Sequence, residues 1–141
     1  MLDKLPEFIS NHPGLFAAFG AIAGILIWTT LQTTGGRRLS PMEATAKMNH
    51  DDAQIIDLRS EDEFQAGHVV GAINVPLSQL ESSVGKLQKY KSKPVIAICS
   101  SGQAASGGAR KLSQAGFEDV YSVIGGVTAW QGANLPLTRK A

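Results

Sequence analysis

Cys99 is the only cysteine in the chain, and it stands where a nucleophile is useful. It directly follows the apolar run Pro94-Val95-Ile96-Ala97-Ile98. It directly precedes Ser100-Ser101-Gly102-Gln103-Ala104-Ala105, a stretch of mostly small residues without charge. This order predicts a buried strand, a loop, and then a helix from about Ala104 to Gln114 ended by Gly116. In an open parallel sheet, ligands bind beyond the carboxyl ends of the strands. A loop of small residues can turn its amide N–H groups toward the sulfur, and those amides and the helix N-terminus favour an anion. A thiolate held there is a better nucleophile. The same cradle would hold the terminal sulfur of a persulfide. The bland alternative is a small buried hydrophobe, and the strand–cysteine–loop–helix order argues against it.

The other chemistry-bearing residues read as structural. Asp57 and Arg59 fit an ion pair or a cap at a strand end. His68 has no acid or cysteine near it in sequence and reads as a hydrogen-bonded structural histidine. Trp130 reads as core. Gly67, Gly71, Gly125 and Gly126 supply positive φ or close packing. His50 beside Asp51 and Asp52 reads as an exposed turn, so no metal site and no cofactor are expected. A single cysteine also excludes an internal disulfide framework and a multi-cysteine metal site.

The elements that must position Cys99 follow from local patterns. Ser40-Pro41-Met42-Glu43 is a capping box with Pro at the first helical position, predicting a helix to about Met48. Gln54 to Leu58 is a short apolar strand. Ser60-Glu61-Asp62-Glu63 is a second capping box, and Gly67 is expected to end its helix in a left-handed conformation. Gly71 to Pro76 predicts a short strand, Ser78 a cap for a helical stretch toward Val84, and Asp119 to Val123 a last strand. Gly125-Gly126 then turns into a short helix around Ala129-Trp130. Strands apolar on both faces alternate with helices. This is the pattern of an α/β fold, a parallel sheet covered by helices on both faces.

The N-terminal part differs in kind. No charge occurs from Phe8 to Gly36, and Gly14 to Leu31 is an 18-residue apolar run without Pro. As a helix it would span about 27 Å, close to the hydrocarbon core of a bilayer. A domain this small could not surround such a helix. A cleaved signal peptide fits poorly, because Asp3 and Glu7 oppose Lys4, the run is long, and no A-x-A site follows. The expectation is an uncleaved single-pass anchor. The division is a tail at 1–13, a transmembrane helix at 14–32, a linker at 33–38 and a domain at 39–141. Arg37 and Arg38 follow the run, so the positive-inside rule puts the N-terminus outside an inner or plasma membrane and the domain in the cytoplasm. Trp28 fits an interfacial position. Gly20 and Gly24 form a GxxxG pair, a candidate homodimer face.

Charge is evenly shared: 13 Lys and Arg against 12 Asp and Glu over 141 residues. Residues 1–38 hold three cations (Lys4, Arg37, Arg38) and two acids (Asp3, Glu7), leaving ten of each for the domain. No basic excess points to nucleic acid.

From Leu39 to Leu137 the sequence resembles a single-domain rhodanese, a sulfurtransferase, here preceded by a membrane anchor. Four patterns carry the resemblance. They are Asp57-Leu58-Arg59; Glu63 with Gly67-His68, Gly71-Ala72 and Asn74-Val75-Pro76; Cys99-Ser100-Ser101-Gly102; and Gly116-Phe117, Val120, Gly125-Gly126, Ala129-Trp130 and Leu135-Pro136. Each is weak alone, and all four in order are specific. The resemblance implies a rhodanese-like sheet. It implies that Cys99 takes sulfane sulfur from a donor, becomes a persulfide, and passes the sulfur to a thiophilic acceptor. Ser100, Ser101, Gly102, Gln103, Ala104 and Ala105 then form the anion-binding loop, with no metal or organic cofactor. One position departs: many active members carry Arg or Lys at the fifth residue after the cysteine, which here is Ala104. This implies weak thiosulfate affinity, a different donor such as a protein persulfide, or vestigial catalysis. In the last case the domain is a membrane-tethered interaction module for a membrane protein complex. The C-x5-R pattern of cysteine phosphatases and arsenate reductases is absent, because the sixth residue after Cys99 is Ala105.

Overall fold

The computed structural model describes residues 2–32 and 37–139. The chain divides into two compact units, Met1–Thr34 and Gly35–Ala141. The first holds a short 3-10 turn (Leu2–Lys4) and two helices, α1 (Leu5–Asn11) and α2 (Pro13–Gln32). The expected tail is therefore largely helical. Among the described residues one helix is long and apolar enough to cross a membrane, over Pro13–Thr30, with none of that window buried. Cβ atoms built on Gly20 and Gly24 would meet nothing within 4 Å.

The second unit is a five-stranded parallel sheet in the order β1-β5-β4-β2-β3. Its strands are β1 (Arg37–Leu39), β2 (Gln54–Asp57), β3 (Ile73–Asn74), β4 (Val95–Ile98) and β5 (Val120–Val123). Around them run α3 (Pro41–Asp51), α4 (Glu61–Ala66), α5 (Leu80–Ser83), α6 (Gln103–Gln114) and α7 (Gly126–Gly132). Every residue of β4 and β5 is buried, as expected where helices cover both faces. Side chains alternate along β4. Val95, Ala97 and Cys99 join a core with Ala105, Ala109 and Leu112 of α6. Ile96 and Ile98 join the opposite core with Ala44, Val127 and Trp130.

Both capping boxes form: Ser40 with Glu43, and Ser60 with Glu63. Four local expectations differ. The sheet starts at Arg37, two residues before the expected domain boundary, because Arg37–Leu39 pair with Tyr121–Val123. The rest of the expected linker, 33–36, lies outside the described residues. Gly67 ends α4 with φ 158 and ψ 130, not in the left-handed helical region, because His68 pairs at once with Thr138. The third strand shrinks to Ile73–Asn74: Ala72 N–H closes a turn onto Val69 O before it, and after the last ladder bond, Val75 N–H to Asp57 O, Pro76 has no N–H to give. Ser78 caps no helix. Leu77 N–H is committed to Leu58 O and Gln79 N–H to Pro76 O, so Ser78 lies inside a 3-10 turn, Leu77–Gln79.

Candidate active site

Cys99 is the first residue past β4 and is 4 % exposed. Gly102 N–H donates to its Sγ at 3.0 Å and Ala105 N–H at 3.2 Å. These two amides come from opposite sides of the N-terminus of α6. Gly102 is the residue before that helix and, as a glycine, brings no side chain of its own to cap it. Ala105 is its third residue, whose orphan amide a capping Ser or Asp usually satisfies. Here the cysteine sulfur accepts that bond, so Cys99 is both candidate nucleophile and helix cap.

Two glycines make the turn feasible. Gly102 has φ +100, and a Cβ there would stand 2.9 Å from Gly125 N. Gly126 has φ +58, and its Cβ would collide with Cys99 O and lie 2.8 Å from the carbonyl carbon of Ser100. This close approach lets α7 clamp the loop from behind. Val127 N–H donates to Cys99 O at 2.8 Å, and Thr128 donates to Ser100 O through its N–H (3.2 Å) and Oγ1 (3.0 Å). With these carbonyls held from one side, the following amides face the sulfur. Nothing in the sequence marks Val127 and Thr128 beyond the Gly-Gly pair before them.

Of the six loop residues expected around Cys99, Gly102 and Ala105 are buried and reach the sulfur. Ser106, the next residue of α6, is half-buried and bonds Gly102 O. Ser100, Ser101, Gln103 and Ala104 are exposed. Ala104 brings no charge, and Arg110 is exposed further along α6. Asp57 and Arg59 pair at the carboxyl end of β2, the strand next to β4, with Arg59 Nη2 2.8 Å from Asp57 Oδ2 and Nε 3.0 Å from Oδ1. The same Nη2 donates to Gly67 O at 2.6 Å. Asp57 is fully buried and the Arg59 side chain 9 % exposed, so this guanidinium is committed to the fold.

His68 lies away from the sulfur in role as well as in sequence. It is buried, its Nδ1 is 2.8 Å from Phe64 O, and its ring stacks on Phe64 at 3.7 Å. Trp130 is core, and its Nε1–H donates to Pro136 O. Among the described residues no three His, Cys, Asp or Glu side chains converge as metal ligands.

The model of the rhodanese-like domain family matches residues 40–133. The uncharacterized protein YibN of Escherichia coli K12 is 37% identical over 141 residues, covering 98% of this chain and 99% of that one. A thiosulfate sulfurtransferase, GlpE of Pseudoalteromonas translucida, is 34% identical over 97 residues, covering 69% of this chain and 90% of that one. Among solved structures, a rhodanese-related protein of Thermoplasma volcanium superposes with TM-score 0.67 at 23% identity, covering 74% of this chain and 99% of that one. A thiosulfate sulfurtransferase of Pseudomonas aeruginosa also gives TM-score 0.67, at 25% identity, covering 78% of this chain and 23% of that one.

Proposed function

The chain belongs to the rhodanese-like domain family, and from that premise we propose that it transfers sulfane sulfur through a persulfide on Cys99. The observation that carries this reading is the convergence of the Gly102 and Ala105 amides on Sγ. The Cys99 thiolate attacks the outer sulfur of a donor, and the donor's S–S bond breaks with its electron pair leaving on the remaining fragment. The persulfide on Cys99 then surrenders that outer sulfur to a thiophilic acceptor, which regenerates the thiolate. No external oxidant or reductant is needed. Preorganised amides stabilise negative charge on sulfur without reorganising at the moment of reaction. Likeness to sulfurtransferases of the GlpE type supports the same chemistry.

The chain is further proposed to sit in an inner or plasma membrane through α2, with its N-terminus outside and the domain in the cytoplasm. The long apolar helix supports this placement. The likeness to YibN also runs through it, since the match covers nearly all of both chains. Dimerisation through Gly20 and Gly24 belongs to the same proposal.

Intact mass measured after incubation with thiosulfate and with persulfide donors tests the activity. One added sulfur, released by cyanide and lost in Cys99→Ser, is the expected result. Unmodified Cys99 across all donors refutes it. The uncharged, exposed Ala104 favours a second reading, in which the domain is a membrane-tethered interaction module. That reading predicts cross-linking to a membrane protein partner which survives Cys99→Ser.

A further inference from the structure

The first helix, α1, has two unlike faces. With about 3.6 residues per turn, Leu5, Phe8 and Ile9 fall within an arc of about 100°, and Glu7, Ser10 and Asn11 fall on the other side. The three apolar residues are 45, 49 and 45 % exposed, and no residue of α1 is buried. A helix of seven residues is marginal in water alone and gains its stability by burying an apolar face.

The end of α1 fixes its depth in a bilayer. His12 leaves the helical region, with φ −130 and ψ 57, because the residue before a proline is pushed out of it, and Pro13 has no N–H to give Ile9 O. A straight helix would set residues eight apart about 12 Å apart along its axis. The rings of Phe8 and Phe16 instead meet at 6.0 Å, edge to face, and His12 packs on Phe8 at 4.8 Å. The apolar face of α1 thus continues across the bend onto the first turn of α2. α2 has 20 residues, a length of about 30 Å, which fills a hydrocarbon core. A helix break exposed to lipid tails is not tolerated, because its free backbone groups find no water there. With α2 spanning the core, the bend at His12 falls among the headgroups.

Resting on the membrane-anchor reading, we infer that α1 lies flat in the membrane interface at the N-terminal end of α2. Leu5, Phe8 and Ile9 enter the upper acyl chains, and Glu7, Ser10 and Asn11 face water. The partner is the lipid surface itself. Lys4 stands against Asp3 and Glu7, so burial of apolar area, and not attraction to charged lipid, holds the helix there. Held flat, α1 fixes the depth of α2.

The test uses the full-length Cys99→Ser chain in phosphatidylcholine vesicles. Single cysteines are introduced in turn as Leu5→Cys and Ile9→Cys on the apolar face, Glu7→Cys and Asn11→Cys on the polar face, and Ala21→Cys in α2. Each carries a nitroxide, and its collisions with oxygen and with a water-soluble nickel chelate are read by spin relaxation. Labels at Leu5→Cys and Ile9→Cys should lie about 5–10 Å below the headgroups. Those at Glu7→Cys and Asn11→Cys should meet the nickel chelate several-fold more often, and Ala21→Cys should be the deepest. Equal access on both faces, or shielding of Leu5→Cys and Ile9→Cys from both reagents by a protein cover, overturns the inference and leaves the anchor standing. Ready nickel access at Ala21→Cys overturns the anchor reading, and this inference with it.

Discussion

Gly126→Ala tests whether α7 positions the cysteine loop. Its φ of +58 is a left-handed conformation, which costs a residue with a Cβ roughly 1–2 kcal/mol. The added Cβ would also collide with Cys99 O and lie 2.8 Å from the Ser100 carbonyl carbon and oxygen, which are backbone atoms unable to swing aside. Overpacking of this kind costs about 1–3 kcal/mol. The two costs together are about 3 kcal/mol, which for a domain of this size lowers Tm by roughly 10–25 °C. Relief would come from α7 and the loop moving apart, stretching the Val127 and Thr128 bonds to Cys99 O and Ser100 O. Urea unfolding, paired with Cys99 persulfide loading at a temperature where the variant stays folded, separates the two effects. Both stability and loading should fall. Gly107→Ala is the control: no atom lies within 4 Å of its Cβ and its φ is ordinary, so it should stabilise α6 by about 0.5–1 kcal/mol. If Gly126→Ala loses under about 1 kcal/mol and loads Cys99 normally, α7 is not a clamp.

Three further outcomes are expected. Asp57→Asn strands the Arg59 guanidinium in a site 9 % exposed, and thermal unfolding should register a loss of about 3–5 kcal/mol. Ser122→Ala should be neutral or stabilising by about 1 kcal/mol in urea, because the buried Ser122 Oγ has no hydrogen-bond partner among the described residues. Lys47 is held above its usual 10.5, first by its hydrogen bond to Asp51 and then by Tyr121. A raised folded-state value stabilises below the unfolded value and is lost as pH rises through the folded one. The stability gap between the native chain and Lys47→Met, read from urea midpoints, should therefore be constant below the unfolded value and shrink as pH rises through and beyond 10.5.

Much of the fold was legible because its signals are local. Ser40 with Glu43 and Ser60 with Glu63 announce two helix starts within four residues each, and both boxes form. Val95 to Ile98 is apolar throughout because both faces of β4 are covered. The place of Cys99 followed from that strand. The misses share a cause: each depends on a partner distant in sequence. Arg37 and Arg38 look like the end of a linker until β5 is present to pair with them. Gly67 looks like a helix stop, and the bridge from His68 to Thr138 decides its conformation. Val127 and Thr128 are unremarkable residues, given a role only by the carbonyls that fold beneath them.

The pairing of β1 with β5 bears on how the protein is made. A ribosome delivers Arg37–Leu39 before any other strand of the sheet, and their hydrogen-bonding partners Tyr121–Val123 after all the others. The edge therefore waits, unpaired, through nearly the whole synthesis of the domain. Two of its three residues are arginines, and charge on a strand that must stand open deters its pairing with other chains. The last strand to emerge closes the sheet against the first, so a nascent chain stalled short of β5 would hold an unfinished edge and no clamp behind its cysteine.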